Sequence, residues 1–312
     1  MSYLRWHGFA ACAVALAVLG CGKEEPSTDA TGKPTVAGAQ RVVEEKVTPY
    51  TYPAPVKGHF KEINVGEFDL VDGIAYPAPG GAGTVVYVTE KPIASPMIAD
   101  SACPMTQARA LTKLRNARFL EVTLLQGRSK YFAAGTPFSG SSRESSPNYW
   151  SSRMTADPGR AIGGVIHRQH GSFDFDLPLS NPKVNEVSEA DWRDGRRGDA
   201  TAPKPTEQAV TAAYRVVHDA AVKKNLKALL EALGFDAKQV AAIRGLDGID
   251  ADLMVYSDWF LTPGTASEFR AKPGTANVRV EAVNSKGKPF ANTYNFASCG
   301  DHIVLDGIFH EE

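Results

Sequence analysis

Four cysteines carry the most distinctive chemistry in this chain: Cys12, Cys21, Cys103 and Cys299. Cys12 falls inside an apolar N-terminal run and Cys21 closes it, which leaves Cys103 and Cys299 for the body of the protein. In an oxidising compartment two remaining thiols can form one bridge, worth about 4–5 kcal/mol for a loop of this length if unstrained. The alternative is two separate buried thiols behaving as small apolar side chains. A second group is polar. Tyr214 and His218 sit one helical turn apart, and Tyr256 and Asp258 alternate along a strand expected over Asp252–Leu261. Asn292 and Tyr294 share a strand face with Phe290 and Phe296, beside Ile303, Leu305 and Phe309 of the next strand. Converging on one concave face, Tyr214, His218, Tyr256, Asp258, Asn292 and Tyr294 would make an apolar pocket with a few polar groups, the usual form of a small-molecule site. An Asp, Tyr and His set also suits proton transfer. The plainer alternative is tyrosine and asparagine satisfied within a core, with His218 and Asp258 at the surface.

Other spacings carry less. Asp174 and Asp176 alternate with Phe173 and Phe175, so both carboxylates share one strand face. Calcium needs six to eight oxygen ligands, and nothing nearby supplies the rest, so a solvated face is expected. His167 and His170 have helical spacing for a metal but fall in an expected strand, where positions three apart face opposite ways. The serine-rich run Ser139–Ser146 lacks the Gly-x-Ser-x-Gly elbow of esterases and reads as a loop. No catalytic residue, metal site or cofactor is therefore assigned.

The N-terminus reads as an address. Arg5 precedes the uncharged run Phe9–Gly20, which stops at Cys21 and the polar residues after it. A bilayer-spanning helix needs about 20 consecutive apolar residues, so residues 1–20 are expected to be a signal peptide. The junction Val18-Leu19-Gly20-Cys21 resembles the bacterial lipobox, with Val18 where leucine is usual. The resemblance implies cleavage before Cys21, its lipidation, and a protein held on the membrane without crossing it. Gly22 stands where aspartate often marks inner-membrane retention, so the resemblance implies the outer membrane, facing the periplasm.

Residues 21–57 carry five prolines among Gly, Ser, Thr, Lys and Glu and read as a disordered tether, of which a piece such as Gln40–Tyr52 could dock on the body. An α+β fold in two domains is expected beyond it. Residues 58–199 read as a β-rich, sandwich-like domain with one helix over Gln107–Ala117, capped by Thr106, and strands at Glu67–Tyr76, Thr84–Thr89, Phe119–Leu125 and Ser172–Leu177. The charged, Gly- and Pro-containing stretch Trp192–Pro205 reads as a linker. In 206–312 helices come first: one behind Thr206, one ending at Gly234 and one after Asp236. Strands follow over Glu268–Lys272, Val278–Asn284, Phe290–Ala297 and His302–Phe309, with Ser285–Lys288 as a hairpin loop. Helices followed by a curved antiparallel sheet resemble the cone-shaped α+β superfamily of nuclear transport factor and ketosteroid isomerase. The likeness covers about the last hundred residues and rests on element order.

Composition bounds the partners. The 312 residues are 43% apolar and 22% charged with a formal net charge of −1. Nucleic-acid binding usually shows as a basic patch or a domain pI above about 9, so nucleic acid is excluded as the expected partner. The expected function is a membrane-anchored envelope lipoprotein that binds a small apolar ligand or another envelope protein without catalysis. The alternatives are a hydrolase or isomerase acting in the C-terminal cone, and a structural subunit of an envelope assembly.

Overall fold

The computed structural model describes residues 47, 49–50, 56–62, 65–77, 84–125, 128–136, 141–144, 150–157, 161–168, 171–178, 202–260, 265–283 and 287–311. The signal segment, Cys21, the tether before Val47 and residues 192–201 of the expected linker lie outside them, as do His170 and the first two residues of the Ser285–Lys288 loop.

Strand Thr84–Thr89 dictates much of the architecture. Five of its six residues are buried, so neither face meets water. Successive side chains of a strand point to opposite faces, and the two faces here belong to different apolar clusters. Val86 and Val88 join one, Val85 and Tyr87 the other. A strand apolar on both faces needs a layer on each side, and the chain supplies both.

On one side lies a sheet of β1 (Val56–Glu62), β2 (Gly66–Leu70), β8 (Trp150–Asp157), β9 (Ala161–Arg168) and β10 (Gly171–Pro178), in the order β2-β1-β10-β9-β8. It packs Phe60, Phe68, Leu70, Phe175 and Leu177 against Val86, Leu120, Val122 and Leu124. Asp174 and Asp176 point outward and are exposed, as the alternation requires. The middle sheet holds β3 (Asp72–Pro77), β4 (Thr84–Thr89), β5 (Phe119–Leu125), β6 (Arg128–Gly135) and β7 (Ser141–Glu144), in that order. β7 occupies the centre of the serine-rich run expected to be a loop, because it pairs with β6. Glu67–Tyr76, expected as one strand, is split at Val71. Leu70 ends in the first sheet and Asp72 begins in the middle one. Gly73 suits the crossing, since a Cβ there would collide with the Tyr87 carbonyl and with Val88.

Helices cover the other face of the middle sheet. They are α1 (Ser95–Ile98), α2 (Pro104–Leu114), α3 (Glu207–Val222), α4 (Leu226–Ala232), α5 (Ala237–Arg244) and α6 (Ile249–Ser257), the last continuing into a 3₁₀ turn, Asp258–Phe260. Thr206, Asn225 and Asp236 cap α3, α4 and α5, and Asp236 and Gln239 form a complete capping box. α2 begins three residues earlier than expected. Pro104, with φ already suited to a first helical position, starts it behind Cys103, and Thr106 is buried in its first turn. The strand expected over Asp252–Leu261 is instead α6 and the 3₁₀ turn. Ile249, Leu253, Tyr256 and Phe260 are buried at helical spacing, whereas Met254 and Val255 face out.

Against these helices lies a third sheet, β11 (Thr265–Lys272), β12 (Thr275–Val283), β13 (Pro289–Cys299) and β14 (His302–Glu311), in chain order. The three antiparallel sheets and the helical layer make the fold α+β. One hydrophobic cluster runs from Ile74 and Tyr87 through Leu111 to Leu229, Tyr256 and Tyr294, so both expected halves share a core. Val47–Glu312 is accordingly one compact unit. The end of the expected tether region lies on that unit. The Tyr50 amide donates to the Gly245 carbonyl at 2.9 Å, and Val56 already belongs to β1.

Candidate functional site

Five of the six polar and aromatic residues expected to converge do so. The Tyr294 ring lies 4.8 Å from Tyr214 edge-on and 5.5 Å from Phe260, and Phe260 lies 5.4 Å from Tyr256 and 6.1 Å from His218. Helix α3 brings Tyr214 and His218, α6 and its 3₁₀ turn bring Tyr256 and Phe260, and β13 brings Asn292 and Tyr294. The Tyr294 hydroxyl donates to the Trp259 carbonyl at 3.2 Å, and Asn292 Nδ2 donates to that hydroxyl at 3.3 Å. Tyr256, Asn292 and Tyr294 are each at most 3% exposed. Burial raises the pKa of Tyr214, Tyr256 and Tyr294, so each phenol stays protonated. His218 Nδ1 lies 3.3 Å from Asp219 Oδ1. Asp258 stands apart, exposed at the start of the 3₁₀ turn. The group is a packed aromatic cluster with no carboxylate inside it among the described residues.

Two ion-pair groups tie the layers together. Arg109 of α2 pairs with Glu121 on the helix-facing side of β5. Burial works against the Arg109 charge, and Glu121 with Tyr76, Asp306 and Tyr87 together more than restores it, holding the guanidinium above its ordinary pKa. One turn on, burial pushes the Lys113 ammonium down to about 8 while Asp306 opposes the shift. Asp252 of α6 takes Lys91 at 2.8 Å and Arg115 at 3.2 Å, and Arg115 also donates to the Asp247 carbonyl. These pairs leave each charge matched within the layer interface, the arrangement a structural role requires.

A cavity of about 350 Å³ opens elsewhere, where the start of α2, the turn between α4 and α5 and the β13–β14 hairpin meet. Its lining includes Cys103 and Cys299, whose Cα atoms are 5.7 Å apart and which form a disulfide across 196 residues of sequence. The bridge expected from cysteine counting is therefore present. Gln107 and Gln239 line the wall. Gln239 is fully engaged, donating to the Met97 carbonyl and accepting from the Asp236 amide, each at 2.9 Å. Gln107 is half engaged: Nε2 donates to the Gly234 carbonyl at 2.8 Å, while no group among the described residues bonds Oε1. Gly234 turns with φ +81°, and a Cβ there would press on Val304 at 3.1 Å. His302 and Lys238 bring basic groups to the rim.

Sequence reasoning did not find this cavity. Two local signals pointed to it: Cys103-Pro104, a cysteine at a helix start, and Cys299-Gly-Asp-His302, a tight hairpin turn with Gly300 at φ +62°. What sequence could not supply was their meeting in space. Among the described residues no three His, Cys, Asp or Glu side chains are grouped to hold a metal ion, and no helix is long and apolar enough to cross a membrane. No family model, curated protein or solved structure matches the chain.

Proposed function

We propose that this protein is a lipid-anchored envelope protein whose body, outside the cytoplasm, binds a small ligand or a partner segment in the cavity floored by the Cys103–Cys299 bridge. The bridge is the observation that carries the reading. Disulfides persist in oxidising compartments and are rare in the cytosol, and this one uses both cysteines that the N-terminal segment does not contain. Its place in a concave, partly polar cavity supports binding as the task. The aromatic packing around Tyr294 supports a cone-like C-terminal layer whose interior serves as core, and it weighs against acid/base chemistry there. Acylation of Cys21 would hold the body at the membrane through the residues before Val47, with the outer membrane as the proposed site.

Metabolic labelling with an alkynyl fatty acid tests the anchor. The wild-type protein should take up label and sediment with membranes, and a Cys21→Ser variant should lose the label and appear in the soluble fraction. An unlabelled wild-type protein, or a variant that sediments equally well, would refute the reading.

A further inference from the structure

We propose that the Cys103–Cys299 bridge is an exchangeable disulfide, opened at Cys299 by a small peptide-like thiol seated in the cavity. The proposal rests on reading that cavity as a ligand site.

Four features of the cavity point this way. Both cysteines line it, and Cys299 is the more accessible, 6% exposed against 1% for Cys103. Cys103 is the N-cap of the eleven-residue α2, where no side chain caps the first turn. A thiolate released there lies at the positive end of the helix, which favours it as a leaving group. His302 is the cross-strand partner of Cys299 in the β13–β14 ladder, and its Nε2 lies 3.2 Å from Asp301 Oδ1. That position suits a base for an incoming thiol. Finally, Gln107 is 5% exposed and recessed in the wall. Because its Nε2 is committed to the Gly234 carbonyl, the group left over is an acceptor. An N–H donor answers it, which favours a cysteinyl peptide over a bare alkyl thiol.

The chemistry balances with thiol alone as co-reactant. The thiol proton passes to His302, and the thiolate attacks Cys299 Sγ. The Cys103–Cys299 bond breaks, its electron pair leaves on Cys103 Sγ, and a mixed disulfide forms on Cys299. Proton return from His302 gives the Cys103 thiol. A second thiolate then attacks the sulfur of the first thiol, Cys299 Sγ leaves and takes up the proton, and so two thiols are oxidised to one disulfide as the bridge is reduced to two cysteines.

The test incubates the full-length oxidised protein in detergent with glutathione, quenches with an alkylating agent and maps the products by mass spectrometry. Expected is a glutathionyl adduct on Cys299 with Cys103 alkylated, formed faster than the protein unfolds. His302→Ala should slow adduct formation by about tenfold or more with an unchanged circular dichroism spectrum, and S-methylglutathione should compete. A bridge that opens only at the unfolding rate, an adduct on Cys103, or a His302→Ala rate equal to wild type would each overturn the proposal. If S-methylglutathione binds while the bridge stays inert, exchange falls and the ligand site stands. If neither binding nor exchange occurs, both fall.

Discussion

Replacing Asp72 with asparagine exchanges one carboxylate oxygen for an amide nitrogen at a position where every neighbour donates. Oδ1 accepts from the Gly73 amide at 2.7 Å and the Ser95 hydroxyl at 2.5 Å, and Oδ2 from the Ile93 amide at 2.6 Å and the Ser95 amide at 3.4 Å. These bonds pin the segment that enters α1 to the start of β3. Burial nevertheless dominates and lifts the carboxyl from 3.8 to about 6. Between those values the folded state holds a proton that the unfolded state has released, so stability falls as pH rises. The contribution is fully present below 3.8 and is lost as pH passes 6. At 1.36 kcal/mol per pH unit the loss is about 3 kcal/mol. The amide of Asp72→Asn is neutral throughout, but its nitrogen only donates, so whichever way it turns it forfeits the bonds that one carboxyl oxygen accepts. The variant should therefore start below wild type near pH 4 and regain about 3 kcal/mol on it by pH 7, as the wild-type carboxyl ionises. With a urea slope of about 3 kcal/mol/M the variant's midpoint moves up by about 1 M relative to wild type. Urea titrations at pH 4, 5, 6 and 7 measure it, and the other titrating groups cancel in the difference. A difference that stays constant with pH, or grows in wild type's favour, would refute the reasoning.

Two further outcomes follow from the packing. Removing the bridge as Cys103→Ala with Cys299→Ala frees a loop closed across 196 residues and should lower unfolding free energy by about 5 kcal/mol on the chain-entropy model. Denaturant titration without reductant measures this, and an unchanged midpoint would mean that the bridge does not restrain the unfolded chain. In the aromatic cluster, Tyr294→Phe keeps the ring contacts and loses the bonds to Trp259 and Asn292, costing about 1 kcal/mol. Tyr294→Ala should cost about 3–5 kcal/mol by leaving a void, and a cost for Ala no greater than for Phe would show that the site is already hollow.

The residues whose local chemistry is self-sufficient were legible in sequence. Thr206 and Asp236 announce helix starts because their side chains satisfy N–H groups within the next turn, and both do so here. The strands of the third sheet were placed to within a few residues because one face of each is apolar. Errors arose where two readings of the same letters compete. Leu253, Val255 and Trp259 fit an alternating strand almost as well as a helix, and only the burial of Ile249, Leu253 and Tyr256 together decides for the helix. Likewise, the composition of residues 67–76 says strand but cannot say that Val71 is where the chain changes sheets. Of the candidate site, the bridge was legible from counting thiols. Gln107, Lys238 and His302 were not, because nothing within their own segments distinguishes them from surface residues.

The bridge couples cavity and fold in a way that neither alone would. One wall of the cavity is the first turn of α2, and the other is the end of the β13–β14 hairpin; Cys103 and Cys299 are the covalent bond between them. Cys103, Cys299 and Val304 form an apolar cluster of their own, apart from both larger ones. Deeper in, Met105 and Leu111 of α2 and Phe296 and Leu305 of the hairpin strands belong to the largest cluster, so the two elements stay packed below the cavity. Noncovalent links between its walls include Gln107 to the Gly234 carbonyl and Gln239 to the Met97 carbonyl, neutral hydrogen bonds worth about 1 kcal/mol net each. Breaking the bridge removes the strongest local restraint on cavity shape while the two large clusters, which do not include either cysteine, continue to hold the sheets. The chemistry at the cavity floor can thus alter the site without unfolding the layers that build it.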